Sequence, residues 1–362
     1  MVEIRVAVDG MGGDRAPEQP VRGSVRAVRE HRIQVILSGD EQRLRAELEQ
    51  QGALELLGHG LEIRHAAEIV EMDEKPAQAA RKKKQSSIRV ALDLVKSGEA
   101  QAMVSAGNSG AVMATALVAL GRIRGVLRPA IAMSVPNING KTVVLDLGAN
   151  TEAAPEHLAQ WGFMGEAYAR LVDGVDRPKV GVLSNGEEDS KGSDQTRGAN
   201  AILKRAPGIN YGGYAEGSDV LVSDFRVIVT DGFTGNVVLK LLEGAGRFVS
   251  RFFRAEFEQS LPRKLAYLLS RAVFAKLRLM ADYREYGGAP LLGIAGVVII
   301  SHGRSDDMAI MRAIMQGKRH VEVDLNGAIE RIVKEHAELF KSAAQAAAPA
   351  PGSEPAESTA TN

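Results

Sequence analysis

VAVDGMGGD (residues 6–14) joins a β-branched apolar run to a glycine-rich turn with a polar residue at the bend. Six variants of the phrase follow: VILSGD (35–40), MVSAGNSGA (103–111), VVLDLGAN (143–150), VGVLSNGEE (180–188), VIVTDGFTGN (227–236) and VVIISHG (297–303). Strands that read as continuous apolar runs are buried on both faces, the pattern of a largely parallel sheet under helices. In such sheets ligands bind beyond the carboxyl ends of the strands. The turns there hold glycine and small polar residues. That lining suits an anion or a phosphate held by backbone N–H groups.

Helical patterns alternate with the strands, over residues 17–30, 43–51, 87–96, 111–120, 155–171, 194–205, 234–257 and 326–341. The alternation predicts βαβ units in a three-layer α/β/α, Rossmann-like body. Residues 1–341 are expected to form a single catalytic domain. Residues 246–286 break the rhythm with helical pattern and no strand, and are expected to project as a helical hairpin. The Ala/Pro-rich tail, residues 342–362, lacks the apolar content to offset chain entropy and is expected to be disordered.

The 362 residues are enough for a large core. Forty-five basic side chains balance 45 acidic ones, which argues against nucleic acid as the main partner. With no cysteine, disulfides, thiolate metal sites and a cysteine nucleophile are excluded. The histidines show no metal-ligand spacing, so no metal is expected. MVEIRVAVDG enters a strand at once, without a signal-peptide pattern, and no apolar run is long enough to span a bilayer. A cytoplasmic location follows as the expectation.

Familiar motifs fail. In GMGGDR, Arg15 stands where a dinucleotide fingerprint needs its third glycine, and GNSGA around Ser109 is not a nucleophile elbow. Two turns survive. In DGFTGNVVLK, Asp231 ends a strand, Gly232 and Gly235 permit a tight turn, Thr234 can cap the next helix, and Asn236 follows. In SAGNSGA, Gly107, Asn108, Ser109 and Gly110 enter an alanine-rich helix in the same way. Each reads either as an ordinary strand–turn–helix or as an anion cradle. The turn Gly12, Gly13, Asp14 has the same composition.

Arg81, Lys82, Lys83 and Lys84 form a cationic run, either a solvated face or a contact for an acidic partner. His302 reads as a structural or a functional histidine. Lys191 follows acidic residues that can pair with it. In SLPRKLAYLLSRAVFAKLRLM (260–280), Leu261, Leu265, Leu268, Leu269 and Val273 fall on one apolar face, with five cations and no acid. Such a helix packs on a core or a dimer partner, or lies in a membrane interface.

Ten strings in one order, among them VAVDGMGGDRAPE, RKKKQSS, SAGNSGA, LDLGAN, VGVLSNGEEDSKG, VTDGFTGNVVLK and EYGGAPLLGI, resemble the bacterial phosphate acyltransferase of phospholipid synthesis, the acyl-ACP:phosphate acyltransferase. The resemblance runs from Ile4 to Lys341. Gly10 stands where alanine is usual and Ser109 where threonine is usual, and neither change removes a functional group. The resemblance implies that acyl-ACP and inorganic phosphate give acyl phosphate and free carrier, feeding a membrane glycerol-3-phosphate acyltransferase. It also implies a homodimer and a mixed, mostly parallel sheet related to the isocitrate dehydrogenase/phosphotransacetylase fold.

That reaction needs no enzyme nucleophile and no cofactor, because phosphate attacks and a thiolate leaves. It needs two anions positioned and an oxyanion stabilised. Asn108, Ser109, Asp231, Asn236, Lys191 and His302 are the expected catalytic residues. Gly12, Gly13, Asp14, Gly107, Gly110, Gly232, Thr234 and Gly235 are expected around phosphate. The acidic carrier is expected on Arg81 to Lys84, and an anionic membrane surface on the 260–280 helix, making the protein peripherally membrane-associated. The rivals are a phosphotransacetylase-like enzyme using acyl-CoA and a non-catalytic acyl-ACP-binding regulator at the membrane.

Overall fold

The computed structural model describes residues 3–272, 274 and 287–340. Val273, most of the second half of the expected hairpin and the 342–362 tail lie outside the described residues.

All seven apolar phrases are strands: β1 (Arg5–Asp9), β2 (Gln34–Gly39), β4 (Ala102–Ser105), β6 (Gly140–Leu145), β7 (Lys179–Leu183), β9 (Phe225–Val229) and β11 (Val297–Ile300). Four more were not anticipated: β3 (Leu61–His65), β5 (Ala130–Asn137), β8 (Tyr211–Ala215) and β10 (Ala289–Leu292). Together they form one 11-stranded sheet in the order β3-β2-β1-β4-β11-β10-β5-β6-β9-β7-β8. β3, β2, β1, β4 and β11 are mutually parallel, as are β6, β9, β7 and β8. Three antiparallel pairings, β11–β10, β10–β5 and β5–β6, join the blocks. The sheet is therefore mixed, and the two parallel blocks run in opposite directions. β11, the last strand among the described residues, inserts beside β4, which intertwines the halves.

Both faces are buried, as the uninterrupted apolar runs require. Val6, Val8, Leu37, Val104 and Ile299 join one core, with Val21 and Val25 of the helix Glu18–His31 and Ile310 and Ile314 of the helix Asp307–Glu322. The alternate residues Ala7, Ile36, Met103 and Val298 join the opposite core, under the helices Ser87–Ser97 and Ser109–Ala119. In the second block, Val143, Leu145, Val180 and Val227 pack on the helix Pro155–Leu171, where Trp161 is fully buried and donates its indole N–H to the Arg128 carbonyl at 2.9 Å.

Most helices stand where periodicity places them. The helix Asp307–Glu322 was missed. The helix expected over 234–257 starts earlier, at Gly232, and runs unbroken to Glu258, through the boundary expected near residue 246. Within it only Gly232 and Gly235 are buried. A shorter helix, Leu261–Leu269, capped by Ser260, follows. It lies against the first through the ring contact of Phe257 with Tyr267 (5.5 Å between centroids), and beyond its end Phe274 meets Phe253 and Phe257.

Candidate active site

The turns after β1, β4 and β11 interlock because these strands are neighbours. Asp14 N–H donates to the Gly303 carbonyl at 2.8 Å, and Ser301 N–H to Ser105 O at 2.8 Å. At the centre lies Asp9, fully buried, whose carboxylate accepts from the Ser105 hydroxyl at 2.6 Å and from Met11 N–H at 3.2 Å. Burial pushes the Asp9 carboxyl above its ordinary value, against the pull of these donors. A Cβ on Gly12 would lie 2.4 Å from Asp9 Oδ2 and 2.7 Å from Gly107 N. Gly12 thus serves the packing of one turn on another. Gly13 has φ +108° and lies over Gly303 and Ala106.

The second block repeats the device. Asp146, beyond β6, is buried and accepts from Ile131 N–H (2.9 Å), Ala149 N–H (3.1 Å), Asn150 N–H (2.6 Å) and the Asn150 side chain (2.9 Å). Gly232 N–H donates to Asn150 O at 2.7 Å. A Cβ on Gly232 would lie 2.5 Å from that oxygen. Gly232 and Gly235 therefore admit protein backbone to the helix start, where a phosphate had been expected to approach. Asp9 and Asp146 were both missed. Their signal was an Asp at the end of the apolar run in both VAVDG and VVLDLG.

The cap also differs from expectation. Asp231 is the N-cap, accepting Thr234 N–H at 2.9 Å, and the Thr234 hydroxyl donates to the same carboxylate at 2.7 Å. A carboxylate at this helix start opposes an anion there. The other helix start is different. Asn108 caps it by accepting Ala111 N–H at 3.0 Å, and its amide group donates to the carbonyls of Met72 and Glu74. Asn108 is neutral. Among the described residues no hydrogen bond takes up the N–H groups of Ser109 and Gly110. Two donors at a positive helix end stay available there.

A cleft of about 1610 Å³ joins these parts. Ile131, Met133, Ala289 and Ile300, from the centre of the sheet, form an apolar floor. Asp14, Ser109, His302 and Arg304 stand at the turns of the first block, and Leu147, Gly148 and Asn236 at those of the second. β4 and β9 run in opposite directions, so their carboxyl ends do not share one edge of the sheet. Ser109 and Asn236 line one cleft, but among the described residues no hydrogen bond joins the two turns. The long helix supplies Lys240, Arg247, Arg251 and Arg254, with Phe253 and Phe257. Their spacing of about one or two helical turns puts these cations on one face. That signal was readable in KLLEGAGRFVSRFFR and was overlooked.

Other expected residues lie elsewhere. Lys191 is on an exposed loop and does not line this cleft. Lys83 is held by the Ile69 carbonyl at 2.5 Å and by Glu74, so it pins the loop beside Met72, while Arg81, Lys82 and Lys84 are exposed. His302 accepts Arg304 N–H at its Nδ1, 3.1 Å away. Leu261 and Leu269 are 81% and 79% exposed, and Leu265 and Leu268 are also exposed.

A family model described as fatty acid synthesis protein matches residues 4–327. A phosphate acyltransferase of Geobacter sulfurreducens is 51% identical, over 89% of this chain and 92% of its own length. Its namesake from Anaeromyxobacter sp. is 48% identical over 96% and 95%. The chain belongs to the phosphate acyltransferases. Among solved structures, a phosphotransacetylase of Streptococcus pyogenes has a TM-score of 0.58 at 18% identity, covering 88% of this chain and 94% of its own. A branched-chain phosphotransacylase of Enterococcus faecalis has 0.55 at 14%, covering 88% and 99%. At such identities the likeness establishes a shared fold. Among the described residues of this phosphate acyltransferase, no helix is long and apolar enough to cross a membrane.

Proposed function

We propose that this phosphate acyltransferase moves a long acyl chain from acyl-ACP to inorganic phosphate. The observation that carries the reading is the cleft, in which an apolar floor runs into a helix start with open N–H donors at Ser109 and Gly110. The acyl chain lies on Ile131, Met133 and the aromatic side of the long helix. Phosphate binds at the first-block turns near Ser109, His302 and Arg304. A phosphate oxygen attacks the thioester carbonyl, the C–O bond forms, and the tetrahedral oxyanion collapses with loss of the carrier thiolate. Phosphate is already a dianion in part near neutrality, so a strong base is not required. Donors fixed in a partly dry cleft stabilise the oxyanion without reorganising. Asp9 and Asp146 position the turns and do not touch the reactants.

The volume favours a long chain over the acetyl group of a short-chain phosphotransacetylase. The carrier, an acidic protein, docks on the exposed cations Arg81, Lys82 and Lys84. The exposed leucines of the helix Leu261–Leu269 and the adjacent cations rest on an anionic bilayer, which delivers a lipophilic product to a membrane acyltransferase. The protein acts as a homodimer in the cytoplasm, a state that sedimentation equilibrium tests. Incubation with long-chain acyl-ACP and labelled phosphate should yield acyl phosphate. Binding of acyl-ACP without turnover would leave the regulator reading, and equal rates with acetyl-CoA the short-chain one.

A further inference from the structure

The long helix offers the cleft two arginines that the phosphate site at the first-block turns does not use. This helix, Gly232–Glu258, lines the cleft from Asn236 to Glu258, about 33 Å at the helical rise. On that wall Lys240 is held by Glu243 at 3.1 Å, and Arg247 stands 3.9 Å from the same carboxylate. Arg251 and Arg254 differ. Both are exposed and line the cleft, and neither takes part in a hydrogen bond or ion pair among the described residues. Glu258, on the same stripe, offsets one charge, and Lys264 of the next helix restores it. At i and i+3 the two guanidinium groups are neighbours, and an anion between them removes their mutual repulsion.

The acyl transfer described above brings two phosphorus anions into one cleft. The acyl group of the donor is a thioester on a phosphopantetheine arm, which a phosphodiester joins to the carrier. Inorganic phosphate must reach the thioester carbonyl at the first-block turns. The phosphodiester is tied to that thioester by a chain of about 13 bonds, roughly 15 Å when extended with the reach of a peptide backbone, so it rests elsewhere. The helical wall is longer than the arm. The carrier can stand beside it: Met72 lines the cleft, and Lys83 pins the adjoining loop through Ile69 and Glu74, so the cationic run 81–84 borders the same opening.

We propose that Arg251 and Arg254 bind the phosphodiester of this arm, an inference that rests on acyl-ACP being the donor. The planar fork of a guanidinium matches the two free oxygens of a phosphodiester, and charge-assisted hydrogen bonds of this kind are stronger than neutral ones. Fixing the arm at its far end confines the thioester near the Ser109 helix start, so that it meets phosphate already oriented. Both arginines are positioning residues; neither touches the reacting atoms.

The test compares two carrier-free donors, octanoyl-phosphopantetheine and octanoyl-pantetheine, which differ only in the phosphate of the arm. Wild type should favour the first in kcat/KM roughly tenfold, the size of one charge-assisted contact. The double variant Arg251→Gln/Arg254→Gln should use the two donors alike, through a higher KM for the phosphorylated one, and Arg251→Lys/Arg254→Lys should recover part of the preference. Gln is a good helix former, and circular dichroism checks that the variants fold; if the double variant does not, each single variant is read in the same way. No preference in wild type, or a preference kept by the folded variants, would overturn the assignment. So would a loss seen with acyl-ACP alone, which would make the arginines a contact for the carrier body, or an equal rise in KM for inorganic phosphate. Absence of turnover by wild type with every donor would instead sink the acyl-transfer reading, and calorimetric binding of the two thioesters would then decide the site by the same comparison.

Discussion

A Cβ placed on Gly235 would lie 1.9 Å from the carbonyl oxygen of Asp146. The long helix that walls the cleft therefore meets the LDLGAN turn backbone to backbone, and no side chain can relax to relieve a clash. Gly235→Ala should destabilise the fold by about 3 kcal/mol, the upper end of the usual overpacking range, because only backbone can move. Urea denaturation reads this directly. An unchanged midpoint would show that the helix start is looser than described.

Asp146 accepts four N–H donors with two oxygens. Asp146→Asn keeps the shape but turns one acceptor into a donor facing donors. The expected loss is about 1–3 kcal/mol, the cost of a buried polar group left unsatisfied. Measurement of the same denaturation curve, with Asn150→Ala as a partner in a double-mutant cycle, should reveal coupling between the two residues.

Burial holds the Asp9 carboxyl above its ordinary value of 3.8. The folded state therefore binds this proton more tightly than the unfolded chain does. The contribution of Asp9 to stability is greatest below the unfolded value and falls as pH rises through the folded one. The difference in stability between wild type and Asp9→Asn should decline with rising pH across that window and then level off. A difference independent of pH would contradict the assignment.

Ser109 is the first residue of its helix, and its open N–H is the feature invoked for oxyanion or phosphate binding. Proline is well tolerated there, and Asn108, at φ −54° and ψ 110°, already has a backbone that can precede one. Ser109→Pro should leave the helix intact and lower kcat on the order of 10²–10³-fold, as for loss of one oxyanion donor. Ser109→Ala, which keeps the N–H, should lose far less. Equal activity of the two variants would remove this N–H from the mechanism.

Leu268 is 57% exposed on the helix Leu261–Leu269. Wild type should sediment with anionic liposomes and release with salt, and Leu268→Glu should stay in the supernatant. Matching behaviour of the two folded proteins would leave these leucines to another partner. In the same spirit, charge reversal at Arg81, Lys82 and Lys84 should raise KM for acyl-ACP and flatten its salt dependence while sparing kcat. Lys83 is left out because it pins the loop at Glu74.

The seven strand phrases and most helices were legible because burial on both faces demands uninterrupted β-branched runs, and this demand is local. Two of the four missed strands follow the same logic in reverse. β8, YGGYA, is glycine-rich, and β10, APLL, is short and begins near a proline, so neither carries the pattern. The helix Asp307–Glu322 was overlooked although Asp306 caps it.

Sequence alone determined the α/β class, the glycine turns and the family motifs, since each depends on residues within a few positions of one another. Tertiary structure alone decided what those turns do. Three antiparallel pairings reverse the second block, which sends the carboxyl ends of β4 and β9 in opposite directions. Gly232 and Gly235 then face the Asp146 turn, and Asp231 occupies its helix start with a carboxylate. The open donors remain at Ser109 and Gly110. Which N–H groups stay unsatisfied depends on partners as distant in sequence as Gly303 is from Asp14, and no local pattern encodes such a pairing.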